Sequence, residues 1–280
     1  MTIEDKVMSM VTEKLAAKRL AVPSLPEVAI AIGEMIRQDD VDAVKIAKEV
    51  SKDAAIAARL IYAANMVGAR GAGKPADNLV QAVTRLGLHR AQVLVSRIAI
   101  EQMFSFQTTT LKHVMDRTWS RSIKVAALNR VLASHYTRLD CDTAMLAGLI
   151  HLIGVLPIAK LLDDNLGYME TEAQLENVIS ALHVQVAEFV LRDWKFPEAL
   201  VTLPKNAADF SRSHRGDADY ADVTSVSILQ IYAANTSHLS ARIGENIPAF
   251  EKLGISREST ALQMPHIREE YDQNLEILLA

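Results

Sequence analysis

Apolar residues recur along almost the whole chain at spacings of three and four, and no other feature constrains its fold as strongly. Ile3, Val7, Met10, Val11 and Leu15 form one such stripe within 2–19, with charges between them. Val41, Val44, Ile46 and Val50 form another, for which Asp40 is the expected cap. Asp53 is placed to start a third helix with Ile56, Leu60, Ile61 and Ala64 on one side. Asp77 is the expected cap for Val80, Val83 and Leu86, and Gly87 suits the stop. Val125, Leu128, Val131 and Leu132 continue the period, as do Val184, Ala187, Val190, Leu191 and Trp194, ended by Phe196-Pro197. No β-branched alternation and no Asn-Gly or Asp-Gly hairpin turn interrupts it. The period predicts an all-α fold.

One stretch goes further. From Thr143 to Ala159 there is no Asp, Glu, Lys or Arg, although His151, Gly148, Gly154 and Pro157 interrupt it. It sits at the short limit of about 17 residues for a membrane span, so a fully buried central helix is the expectation. The N-terminus, Met1-Thr2-Ile3-Glu4-Asp5-Lys6, carries acids before any apolar run and does not read as a signal peptide. A cytoplasmic protein with no membrane partner is expected. A single cysteine excludes an internal disulfide framework, and 30 basic against 34 acidic residues leave no basic footprint for nucleic acid. Half the residues are hydrophobic, so the chain has ample material for a core.

Two segments break the pattern. Residues 68–77 hold three glycines and Pro75, a loop between helices; Asp209–Asp219 is polar and turn-rich, with the composition of a mobile loop. A milder break at Phe106–Thr110 places a boundary between an N-terminal helical lobe, 1–107, and a second helical lobe with a C-terminal extension, 108–280.

Little chemistry is legible residue by residue. Gly68 to Lys74 has P-loop spacing, but Pro75 stands where a hydroxyl should reach magnesium, and a helix precedes it rather than a strand. Cys141 has no evident base beside it and reads as a core residue. His89, His113, His135, His214, His238 and His266 lie in polar surroundings and read as solvated. His113 and Asp116 share a helix face, but a metal needs three or four ligands. His151 differs because it falls inside the charge-free run; on the residues alone a hydrogen-bonded core histidine is favoured over a ligand.

An ordered set of short elements is more specific. Val22-Pro23-Ser24-Leu25-Pro26-Glu27-Val28-Ala29 resembles the Leu-Pro-x-Leu-Pro opening of the HDOD (HD-related output domain) family. The segment from Asp53 to Asn65 is similar to that family's Asp-Pro-x-Leu-x-x-x-Leu-Leu-x-x-Ala-Asn signature, and Ala82–Gly87 to its Ala-x-x-x-Leu-Gly element. Trp119-Ser120-Arg121-Ser122, Ala147–Gly154, His183 and Trp194-Lys195-Phe196-Pro197 follow in order, so that the resemblance covers about Leu20 to Ala233.

The resemblance implies kinship with HD-domain phosphohydrolases, in which histidines and aspartates on several helices hold metals that activate water. On that frame the first histidine position is Arg121 and the His-Asp doublet reads His151-Leu152. The paired-histidine region falls near Ala207-Ala208, the distal aspartate near Gln230, and His183 survives from an outer position. The implied reading is a non-catalytic signalling module with no cofactor and no bound metal. It would bind a protein partner or small regulator, with Asp53, Arg59 and Asn65 as candidate partner surface. One alternative is a metal-dependent phosphohydrolase acting on a phosphodiester or nucleotide, its best ligand set being His151, His183, Asp163 and Asp164. The other is a structural scaffold or dimerisation unit, with a homodimer as its partner state.

Overall fold

The period is realised as helices throughout the described residues of a computed structural model: 3–38, 40–68, 74–106, 108–164, 171–232, 247–256 and 261–280. No strand occurs among them, and the chain is all-α. The first part runs α1 (Ile3–Ala16), α2 (Glu27–Met35), α3 (Ala43–Val50), α4 (Ala54–Gly68), α5 (Leu79–Leu86) and α6 (Leu88–Met103). Then come α7 (Thr109–Tyr136), α8 (Cys141–Ile150), α9 (Val155–Asp163), α10 (Glu172–Asp193), α11 (Glu198–Val201), α12 (Leu203–Ala208) and α13 (Tyr220–Tyr232). The chain closes with α14 (Pro248–Leu253), a 3₁₀ turn (Ala261–Gln263) and α15 (Pro265–Leu279).

Capping shows where local chemistry sets the boundaries. Asp53 accepts from the amides of Ala55 (2.9 Å) and Ile56 (3.0 Å), starting α4 as expected. The cap of α3 is Asp42, accepting from Lys45 N at 2.8 Å, whereas Asp40 pairs with the Lys45 ammonium at 2.5 Å. Likewise Asn78, not Asp77, caps α5 by accepting from Gln81 N at 3.0 Å. Gly87, at φ 82°, ends that helix.

The charge-free run is not one helix. It breaks at His151–Gly154 into α8 and α9, because Pro157 has no N–H with which to continue a helix and is accommodated in the first turn of a new one. The Cys141–Asp163 stretch is long and apolar enough to cross a membrane, yet 83% of its apolar 18-residue window is buried inside the protein. Two glycines let its surroundings close in. A Cβ on Gly148 would lie 2.4 Å from Ala126 Cα on α7, and one on Gly154 would lie 2.0 Å from the His183 carbonyl on α10.

Around this pair the long α7 packs against α8, α10, α13 and α15, while α6 bridges α2, α4 and α8. A continuous apolar cluster runs from Val7 to Leu278 across the 107/108 boundary; Gln107 itself lies outside the described residues, as do 69–73 of the glycine loop. The turn after α10 is also specific. Lys195 takes the left-handed region at φ 56°, its amide donates to Arg192 O (3.0 Å), and Phe196 N donates to Leu191 O (2.9 Å), an arrangement that normally favours glycine. It swings Phe196-Pro197 back, while the Trp194 indole donates to Pro23 O at 3.1 Å. The first and last sequence elements of the resemblance thus meet in space.

Candidate functional site

Helices α7 and α13, which carry Arg121 and Gln230, pack on each other and on α8, which ends at His151. His151 is the C-terminal cap of α8 and is buried. Its Nδ1 lies 2.6 Å from the Gly148 carbonyl, which can only accept, so Nδ1 carries the proton. Burial drives its pKa down to about 4; the Gly148 carbonyl opposes this and the nearby His183 adds to it. His151 is therefore neutral at pH 7, the satisfied core histidine that the residues alone favour. His183, on α10, directs Nδ1 at Ile179 O at 2.8 Å.

The other positions carry different chemistry. The Arg121 guanidinium stacks 5.5 Å from the centre of the Tyr232 ring, and burial raises the Tyr232 phenol pKa although Arg121 opposes it. Leu152 packs on the apolar core. Ala207 is buried, and its carbonyl accepts from Ser225 Oγ at 2.9 Å; Ala208 is half-buried. Gln230 Oε1 accepts from Ala261 N at 3.1 Å and ties the 3₁₀ turn to α13. An HD-type metal needs imidazoles and carboxylates converging from several helices. These positions supply an aliphatic chain, two methyl groups, an amide and a fixed guanidinium, and they do not fit such an ion. Among the described residues, no group of three potential ligands includes His151 or His183. Asp163 accepts from Thr108 Oγ1 at 3.2 Å and Asp164 pairs with Lys160 at 2.8 Å, so the alternative ligand set is not assembled.

A polar seam between α7 and α13 escapes the sequence reading. Asn129, fully buried, donates to Ala144 O (2.9 Å) and Thr224 Oγ1 (2.8 Å), while Ser122 Oγ and Ser227 Oγ are buried without partners among the described residues. The available signal is an asparagine inside the Val125–Leu132 apolar stripe, which marks a buried amide needing partners.

His214 is not the solvated residue that its neighbours in sequence imply. Its Nε2 lies 2.7 Å from Asp222, whose side chain is only 2% exposed. Arg212 pairs with Asp219 (2.5 Å) and Asp222 (3.2 Å), and Lys252 of α14 reaches His214 Nδ1 (3.3 Å) and Gly216 O (2.6 Å). Arg212 spans both carboxylates, His214 lies against Asp222 and Lys252 joins from α14, so the cluster is a cross-link that fixes the 209–219 loop to α13 and α14. His113 pairs with Glu172 (3.3 Å) and His135 with Glu270 (3.0 Å) near the surface; His238 lies outside the described residues.

The candidate partner residues lie on or beside α4 and are tied inward. Arg59 pairs with Glu101 at 2.5 Å, and Glu101 also accepts from the buried Arg97 at 3.1 Å. Asn65 exchanges two hydrogen bonds with Ala76, accepting from its amide (2.7 Å) and donating to its carbonyl (3.0 Å), and accepts from Arg85 at 2.9 Å. It pins the far end of the glycine loop rather than presenting its amide outward. Asp53 uses its carboxylate as the α4 cap.

Fold and frame together define a class, the all-α proteins with an HD-like helical core. The HDOD domain model matches residues 22–209, and the chain belongs to that family. A protein of Shewanella amazonensis SB2B with the provisional name metal-dependent phosphohydrolase is 26% identical, with a TM-score of 0.84 over 99% of this chain and 100% of that one. An HDOD domain protein of unknown function from Geobacter sulfurreducens is 18% identical, with a TM-score of 0.65 over 99% and 97%. A provisionally named signal transduction protein from Marinobacter aquaeolei VT8 is 17% identical, TM-score 0.66; the match takes in 94% of this chain and 61% of that one. No curated protein matches the sequence.

Proposed function

We propose that this chain is a non-catalytic, cytoplasmic signal-transduction module whose HD-type metal site has been dismantled and which binds a protein partner or a small regulator. The observation that carries this reading is the chemistry at the frame: Leu152 packs on the core where the doublet would hold its carboxylate, and Arg121 lies over Tyr232 where the first imidazole would stand. A guanidinium repels the cation that the catalytic relatives need. Affinity capture from the native cell, with Asp53→Ala and Arg59→Ala proteins beside the wild type, tests the binding role. A partner retained by the wild type and lost from a variant of unchanged helicity supports the α4 surface. Equal recovery by all three proteins contradicts it. The second reading, a metal-dependent phosphohydrolase, is favoured by the name of the Shewanella relative and by its 26% identity.

A further inference from the structure

A cleft of about 220 Å³ opens where α2, α6, α8 and the turn after α10 meet, distant in sequence from most of the HD frame. Its apolar walls include Leu25, Ile30, Leu146, Trp194, Phe196 and Leu200. One wall is a polar stripe of α6, with His89, Gln92 and Ser96 at spacings of three and four. The stripe descends into the protein. His89 is exposed, Gln92 half-buried, and Ser96 only 7% exposed.

Among the described residues none of these three side chains makes a hydrogen bond, whereas Thr143 on the same cleft donates to Asp140 at 2.7 Å. Buried and half-buried polar groups normally find partners within the protein. Gln92 and Ser96 do not, and with the exposed His89 above them they align along one wall of a mainly apolar cleft, the arrangement of a binding site. Charged side chains also line the cleft: Arg37 donates to the Lys195 backbone carbonyl at 3.1 Å, and the Lys195 ammonium lies 3.8 Å from Glu34. The volume is below the roughly 300–1,000 Å³ of sites for drug-sized ligands, so it takes one small ring system. Trp194 and Phe196 stand 6.4 Å apart with planes tilted by 44°, and the Trp194 indole is anchored on Pro23, which gives the cleft a fixed aromatic side.

We propose that this cleft binds a small, uncharged heteroaromatic ring of nucleobase size. Its hydrogen-bonding edge lies along Ser96 and Gln92, and His89 closes the mouth. The inference rests on the reading of the chain as a regulatory module and gives its small regulator a chemical class.

Trp194 is one of only two tryptophans, so a Trp119→Phe protein carries a single reporter at the cleft. Adenine, hypoxanthine and uracil are titrated against it, with tryptophan excited selectively. The expected result is saturable quenching by at least one probe, weakened about tenfold or more by Gln92→Leu and abolished by Ser96→Leu, which fills the floor. Gln92 is half-buried, so its variant keeps the test valid should Ser96→Leu fail to fold. No saturable change with any probe, or quenching indifferent to both substitutions, overturns the proposal. Ring binding and partner capture fail separately: a captured partner without ring binding leaves the regulatory reading standing, and ring binding alongside metal-dependent turnover leaves only the cleft.

Discussion

His151, the imidazole that the resemblance sets at a metal-ligand position, is a neutral, buried cap whose Nδ1–H closes on Gly148 O at 2.6 Å. An unfolded chain takes up this proton near pH 6.5, while the folded one resists until about pH 4. Its contribution is therefore complete above pH 6.5 and is lost as pH falls from there towards 4, roughly 2 kcal/mol of it by pH 5. Urea midpoints at pH 7 and pH 5 should show a steeper fall for the wild type than for His151→Leu; equal falls would contradict the buried neutral state. Glu101 makes a second case. It accepts from Arg97, whose side chain is 2% exposed and whose pKa burial lowers to about 10, and it pairs with Arg59. Glu101→Gln leaves a buried guanidinium without its counter-charge. Because Glu101 is itself 31% exposed, the expected loss is about 2 kcal/mol rather than that of a fully buried pair, read as a lower urea midpoint.

At the scale of elements, the apolar period carries most of the fold, since a stripe at spacings of three and four has only one regular conformation that buries it. What the period does not carry is where helices begin and break. Asp40 and Asp42 are equally good caps by residue type, and the choice of Asp42 follows from the register in which Ile46 and Val50 reach the core. The buried central helix expected over Thr143–Ala159 is buried but divided in two, for a related reason: hydropathy does not register the close approach of α7 and α10 to the turn within it. Gly154 is decisive there. Its missing Cβ would lie 2.4 Å from Ala187 N as well as 2.0 Å from His183 O, both backbone atoms that cannot rotate away. Gly154→Ala should cost at least the top of the roughly 1–3 kcal/mol range for overpacking, measured by thermal unfolding. A melting temperature unchanged from the wild type would show that α10 is free to shift.

Over the whole molecule, the candidate site was legible only as an ordered set of short elements, because the helices that build it are distant in sequence. Asn129 meets Thr224 95 residues away, and the loop histidine His214 finds its partner Lys252 38 residues on, so neither contact has a local signature. The order of the motifs did identify the family, over residues 22–209, and it supplied the frame against which Arg121 and Leu152 stand out. We propose that this frame no longer supports metal chemistry. Metal content of the purified protein, measured together with hydrolysis of a generic phosphodiester such as bis(p-nitrophenyl) phosphate, tests it most directly. Metal far below stoichiometric and no turnover above that of His151→Ala are expected; stoichiometric metal, with turnover abolished by His151→Ala, would show a working metal site.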